Sequence, residues 1–355
     1  MYDNCINMLI IVNHIHFSYY SSFLLSIAIP TYNRAKYLKE NLEAILSQLE
    51  SCKDIVEILV NDNASSDNTE QSILNLIEKY CFSIKYHRMT ENIGYRANVI
   101  DVSLRAKGKY LFLLGDDDIL SPDFFKIVIP YLENKNNLAV IHFNRLSGDA
   151  ICSKNKLHDW EFDGLAKIMD YKEFWFRVMS SPNFMSSVIV RRDCFEKGVS
   201  FIKDDYYGYH WFSQICFGSI GEKCLYYYMP LVLMRNPSRT WSHDAALYFL
   251  VGMNSIFRDL DQYIPGIHDA WYYRGLKTHF YDFYGILSQV AIDASYYRQY
   301  ESELMEAMPN RRTKVVLYCI LHLRPARIVG GLYHKLLICY RLLFNHYTFT
   351  RKSVN

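Results

Sequence analysis

Phe23 to Ile29 (FLLSIAI) is an almost uninterrupted apolar run closed by Pro30, which predicts a strand buried on both faces of a parallel sheet. After the loop Thr31–Arg34, Leu38, Leu42, Ile45, Leu46 and Leu49 recur at helical spacing and predict an amphipathic helix. Ile55 to Val60 (IVEILV) reads as a second strand, ending at Asn61-Asp62-Asn63. Asp67 with Glu70 has the spacing of a capping box for a second helix running to Tyr80. Ser83 to His87 is a weaker third strand, Asn92-Ile93-Gly94 a turn, and Tyr95 to Ala106 a third helix. Tyr110 to Leu114 (YLFLL) is a fourth strand, stopped by Gly115-Asp116-Asp117-Asp118. Strands alternating with helices predict an α/β doubly wound sheet, which binds ligands at the carboxyl ends of its strands. Asn33, Arg34, Asp62 and Asp116 to Asp118 all fall at such ends.

Farther on the pattern changes. Ala139 to Phe143 predicts a strand, 145 to 165 a loop, Asp170 to Met179 a short helix and Met185 to Val190 (MSSVIV) another strand. Tyr207 to Phe217 reads as a helix and Cys224 to Leu233 as the last strand, so the sheet should end near Ser238. The expected organisation is a leader at 1–20, a sheet domain at 21–238 divided into halves 21–130 and 131–238, and a helical region at 239–355. MLIIV at 8–12 is too short for the core of a secretion signal, and Met8 is an alternative start. After Glu306 there is no Asp or Glu, while Arg311, Arg312, Lys314, Arg324, Arg327, Lys335, Arg341, Arg351 and Lys352 interleave with VVLYCILHL and LLICYRLLF. Two readings fit this tail: an interfacial helix on an anionic membrane, giving peripheral contact, or a basic helix packed on the body with its charges solvated.

Composition narrows the field. Of 355 residues half are apolar and 21% are charged, enough for a large core. The net charge is only +2, which speaks against a general nucleic-acid binder. The nine cysteines contain no C-x-x-C pair, so ordinary thiols in a reducing, cytoplasmic setting are expected. No run of 18 apolar residues predicts a spanning helix. P-loop, G-x-S-x-G and H-E-x-x-H motifs are also missing.

Chemistry concentrates in Asp116, Asp117 and Asp118. Three adjacent carboxylates repel one another unless a cation joins them, and Mg²⁺ or Mn²⁺ commonly bridges carboxylates to phosphates. An acidic turn before the next helix is the plainer alternative, but the position directly after an apolar strand favours a ligand site. Asp62 either accepts a hydrogen bond from a base or ribose, or simply shapes its turn.

SIAIPTYNRAKYL (26–38), ILVNDNASSDNT (58–69), ENIGYRANV (91–99) and KGKYLFLLGDDDILSPD (107–123) together resemble the family-2 glycosyltransferases, in that family's order and spacing. The resemblance is strong over the first third of the chain and continues weakly to about residue 238. It implies a glycosyltransferase-A fold and an inverting transfer from a nucleoside diphosphate sugar, with Mn²⁺ or Mg²⁺ as cofactor. Pro30, Thr31 and Tyr32 would line the base pocket with Arg34 beside them, and Asp62 would contact the base. Asn92 and Arg96 would lie near the nucleotide, Asp116 would meet the ribose, Asp117 would ligate the metal, and Asp118 would support the site or share the ion. Many members carry an acid where this chain has Gly115, so the metal pair is either Asp117 with Asp118 or the D-x-D register Asp116 with Asp118. The family's base is usually an Asp opening a helix a few turns before a Gly. With Gly221 as marker, that position holds His210-Trp211, and Asp204 and Asp205 lie just upstream. His210 is the first candidate base and Asp205 the second. Arg235, Arg239 and His243 follow the last strand and either reach the diphosphate or are surface cations; Ser186 and Ser187 read as structural. In style the sequence is similar to the abequosyltransferase-type branch, which builds bacterial O-antigen on a lipid-diphosphate carrier. That likeness implies a lipid-linked saccharide acceptor at the inner face of the cytoplasmic membrane.

Overall fold

The computed structural model describes residues 23–133, 137–147, 156–158, 165–178, 184–235, 244, 246–271, 287–288, 290–308, 310–323, 325 and 327–332. Two compact units emerge: Met1–Lys203 with His210–Arg239, and Asp204–Tyr209 with Thr240–Asn355.

The first unit is built on one sheet. Its elements are β1 (Leu25–Thr31), α1 (Ala35–Leu46), β2 (Val56–Asp62), α2 (Thr69–Tyr80), β3 (Ile84–Arg88), α3 (Tyr95–Arg105), β4 (Tyr110–Leu113), β5 (Ile119–Leu120), α4 (Phe124–Glu133), β6 (Val140–Ser147), β7 (Lys156–His158), β8 (Ala166–Asp170), α5 (Tyr171–Val178), β9 (Val188–Arg191), α6 (Arg192–Lys197), α7 (His210–Gly218) and β10 (Lys223–Met234). The strand order is β3-β2-β1-β4-β9-β6-β10-β5, with β7 beside β6 and β8 beside β10. β1 pairs in parallel with β2 and β4, β2 with β3, and β6 with β10, while β9 runs antiparallel between β4 and β6. The register sets Thr31 opposite Asp62 and Asp62 opposite Arg88, so three polar residues stand in one row at the carboxyl edge.

The core explains the order. Leu38, Leu42, Ile45 and Leu46 of α1 bury their stripe against Ile27, Ile58 and Phe112 of the sheet. Phe112, Phe124 and Phe143 meet with ring centroids 5.4 to 5.8 Å apart. Burying each such ring contributes about 2 kcal/mol. At the opposite edge Glu57, 2% exposed, accepts from Ser26 Oγ at 2.5 Å, from the Lys107 and Gly108 amides, and from Lys85 Nζ. That carboxylate holds the turn that launches β4 towards the aspartates.

Several boundaries differ from expectation. Pro30 lies inside β1 rather than ending it. β4 pairs only as far as Ala28↔Leu113, so the missing Pro30 N–H interrupts no ladder on that side. The Asp67–Glu70 capping box does not form: Asp67 Oδ1 accepts from Thr69, and its Oδ2 accepts from the Ala35 amide at 3.0 Å, tying two loops together. Met185–Ser187 is a 3₁₀ turn, and the strand begins only at Val188. The helix expected from Tyr207 starts at His210, because Tyr207 adopts φ 41° and breaks the spiral. Residues 145–165 contain the end of β6 and the short β7; the rest of that span, with Arg239, His243 and the basic residues after Leu332, lies outside the described residues.

The second unit is helical where described. A π-helical turn (Leu247–Gly252) leads into α8 (Met253–Leu260), followed by α9 (Ala294–Tyr297), α10 (Glu301–Glu306) and α11 (Arg311–His322). Leu247, Leu250, Val290, Leu304, Leu317 and Leu321 make its core. The 3₁₀ segment Asp204–Tyr209 is held within this unit, with Tyr206 Oη donating to Asp259 at 2.8 Å.

Candidate active site

The loops after β1, β2 and β3 are knitted by short polar side chains. Asn33, at φ 53°, accepts from the Ser66 amide, and its own amide donates to Ser65 Oγ at 2.8 Å. Asn63 bonds Asn92 at 2.8 Å and accepts from the Ile93 amide. Asn and Asp suit these positions because they satisfy turn backbone and tolerate left-handed φ. Asp62 is fully buried. It accepts from the Ser65 amide at 2.8 Å and from Tyr86 Oη at 2.7 Å, with Arg88 Nε 3.7 Å away. Burial and the Asp62 carboxylate together push the Tyr86 phenol well up, so it stays a donor. Asp62 thus shapes its loop through both oxygens, and Asn92 does likewise, accepting also from the Gly94 amide.

Beside these loops stands the turn after β4. Thr31 Oγ1 donates to Asp116 Oδ2 at 2.7 Å, and Arg34 Nη1 lies 3.5 Å from Asp117 Oδ2. Ser186 Oγ accepts from the Gly115 amide at 2.8 Å and donates to Asp118 Oδ2 at 2.5 Å. The structure therefore brings Thr31, Arg34 and Asp116 to Asp118 together. Pro30 is buried just before Thr31 in β1, and Tyr32 after it is 43% exposed, available to stack. A side chain at position 115 would begin 2.7 Å from Asp118 Oδ2. Glycine here is what lets the Asp118 carboxylate fold back to Ser186, so an acid at 115 and this Asp118 conformation exclude each other.

The charges are under strain. Burial and the Asp117 charge push Asp116 up to about 7. Burial also raises Asp117, against the pull of Arg34, and raises Asp118 well above the carboxylate range. Asp118 Oδ1 is buried without a hydrogen-bond partner. Carboxylates that resist ionising and a buried bare oxygen fit a divalent cation, which favours carboxylate oxygens. Among the described residues no three His, Cys, Asp or Glu side chains converge as a complete ligand set.

Three residues hold this turn: Asn41, which the sequence reading passed over, and Ser186 and Arg235, to which it gave other roles. Asn41, fully buried on α1, donates to the Gly115 and Asp118 carbonyls at 3.0 and 2.6 Å. Its signal was available: an amide inside the apolar stripe Leu38–Leu42–Ile45. Ser186, read as structural, is a direct partner of Asp118. Arg235, beyond β10, donates to the Asp117 carbonyl, to Glu40 and to the Tyr37 carbonyl, and lies 5.1 Å from the Tyr37 ring centroid. Its guanidinium clamps the turn instead of standing open to solvent. No sequence spacing signals that, since its partners lie 118 to 198 residues away.

The two base candidates stand differently. His210 opens α7, 2% exposed, and neither ring nitrogen has a hydrogen-bond partner. Burial and the charge of Arg96 depress it to about 3, so it is neutral at working pH and a weak proton acceptor. Arg96 therefore stands by His210. Asp205 is bound by Arg258 at 3.1 Å within the second unit. The His210 ring makes no hydrogen bond to the aspartate turn.

A mixed, mostly parallel sheet in which β5, β7, β8 and β9 run antiparallel to their neighbours, carrying an aspartate turn after β4, defines a glycosyltransferase-A architecture. The family model "Glycosyl transferase family 2" matches residues 26–209, just over half the sequence, and the chain belongs to that family. It is 31% identical over 225 residues to abequosyltransferase RfbV of Salmonella typhimurium, an alignment covering 60% of this chain and 66% of RfbV. Two further curated relatives are matched over only 36% and 35% of their own length. The fold is similar to S. aureus TarS 1-349 in complex with UDP-GlcNAc (TM-score 0.58, 14% identity, 90% of this chain and 92% of that one). It is also similar to the mannosyltransferase PcManGT of Pyrobaculum calidifontis in complex with GDP-Man and Mn²⁺ (TM-score 0.51, 14% identity, 97% and 94%).

Proposed function

We propose that this glycosyltransferase moves a sugar from a nucleoside diphosphate donor, with inversion, to a saccharide carried on a lipid diphosphate. It would act in bacterial O-antigen or related surface-polysaccharide synthesis, at the inner face of the cytoplasmic membrane. The observation that carries this reading is the aspartate turn. Three carboxylates, held by burial above the usual carboxylate range, stand beside Thr31 and Arg34 at the carboxyl edge of the sheet. Likeness to an abequosyltransferase supports the polysaccharide context and a hexose or dideoxyhexose donor.

In this reading Tyr32 and Pro30 flank the base, Asp116 meets the ribose, and Arg34 with Asn92 and Arg96 lies along the nucleotide. Asp117 and Asp118 would hold Mn²⁺ or Mg²⁺, which when bound supplies positive charge against the leaving diphosphate. The acceptor oxygen forms its bond to the anomeric carbon as the bond to the diphosphate breaks, and its proton passes to a base. The buried, weakly basic His210 and the paired Asp205 favour a second reading, a protein that binds nucleotide sugars without turnover.

The test uses nucleoside diphosphate hexoses and dideoxyhexoses with Mn²⁺ and a lipid-diphosphate-linked saccharide, read by proton NMR of the product. A new linkage with anomeric configuration opposite to the donor's is expected. Retained configuration would overturn inversion, and donor bound but intact would select the silent reading. The same assay in which capsule-type saccharides alone accept sugar would move the acceptor, not the chemistry.

A further inference from the structure

Helix α11 is apolar on two faces. Thr313, Leu317, Ile320 and Leu321 turn inward to the core of the second unit. Val315 (55% exposed), Val316 and Tyr318 turn outward. An apolar strip on the exposed side of a helix, opposite its core-facing strip, is surface available to a partner. In the same unit, helical residues 327–332 expose Ile328, Val329 (65%) and Leu332, three side chains on one helical face. Single exposed apolar residues are ordinary, but two clusters within 18 residues of sequence are an interaction surface.

The charge says what covers it. Arg311, Arg312 and Lys314 in the first turn of α11 are all exposed. All nine formal charges after Glu306 are positive while the whole chain carries +2, so residues 1–306 carry −7. Of the acids just before the helix, Glu301 pairs with His322 at 3.0 Å and Glu306 with Arg258 at 2.9 Å. The helix also starts firmly, with Asn310 and Thr313 forming a reciprocal cap. Among the described residues no helix is long and apolar enough to cross a membrane. Apolar side chains beside basic residues that pair with no acid among the described residues match a surface that is oily beneath and anionic above.

We propose that the outward face of α11, with Ile328, Val329 and Leu332, seats on an anionic phospholipid bilayer. The net negative charge of residues 1–306 is repelled from that same bilayer, so the charge distribution orients the protein as well as attracting it. This deepens the reading of a membrane-carried acceptor and rests on it for its purpose, yet vesicle binding is measured without turnover, so either can fail alone.

The experiment is flotation of the full chain with vesicles of neutral phosphatidylcholine, alone or mixed with anionic phosphatidylglycerol. Binding is expected to the anionic vesicles, and it should weaken as salt rises. Val316→Glu with Val329→Glu should reduce binding at least tenfold. Arg312→Gln with Lys314→Gln, which leave the fold's core untouched, should reduce it roughly 25-fold, about fivefold per charge. Equal binding to neutral vesicles, no binding to either, or full binding by the charge variant would overturn the proposal. So would an apolar variant that floats like wild type but shifts from dimer to monomer in light scattering, because the face would then belong to a second copy.

Discussion

Asp117→Asn should reduce sugar transfer by about a thousandfold, with the protein still folded and its melting temperature unchanged or raised. The size follows from the role: charge stabilisation at a leaving diphosphate is worth about 3–4 kcal/mol per well-placed group. The unchanged stability follows from the crowding. Asp117 stands between two buried carboxylates that its charge holds high, and removing that charge relieves both. Steady-state kinetics with thermal denaturation of the same sample checks both halves. Asp116→Asn set beside Asp117→Asn separates the two registers. If Asp117 and Asp118 carry the cation, Asp117→Asn is the costlier change; if Asp116 and Asp118 carry it, Asp116→Asn costs at least as much.

Gly218→Ala should destabilise the first unit by about 3 kcal/mol or more. A Cβ there would stand 1.8 Å from the Cys194 carbonyl oxygen, and a Cβ at Gly198 would stand 2.1 Å from the Gln214 carbonyl. Both obstacles are backbone, which cannot swing aside as a side chain can. The two glycines let α6, the 3₁₀ turn after it and α7 approach at backbone contact, and α7 begins at His210. Chemical denaturation should show the loss, and activity should fall with it. A variant of wild-type stability would mean the helices sit farther apart than described.

The first four strands and the aspartate turn were legible because each obeys a local rule. FLLSIAI and YLFLL are apolar runs of strand length, and a turn of three acids after a strand has few other uses. The second half of the sheet was harder for a physical reason. β9 is a four-residue strand lying antiparallel between β4 and β6, and direction leaves no mark on a short apolar run. Tyr207 broke its helix through a backbone angle that the pattern around it does not announce. At the site, the residues proposed to meet the nucleotide sugar rest on resemblance, whereas those that hold the turn came from the fold. Asn41 was visible as an amide in an apolar stripe, but Arg235 needed the fold. Asp67 shows the reverse case: its spacing satisfied a capping rule, yet a tertiary partner, the Ala35 amide, took the carboxylate instead.

The central claim is that the turn at Asp116 to Asp118 grips a nucleoside diphosphate through a divalent cation. The most direct measurement is thermal denaturation with nucleoside diphosphates, each with Mn²⁺ and with a chelator. Ligand that binds the native state raises the melting temperature in proportion to the logarithm of its saturation. The expected result is a rise for at least one nucleotide with Mn²⁺ that disappears with chelator and in Asp117→Asn. An identical rise with chelator, or no rise with any nucleotide, would contradict it.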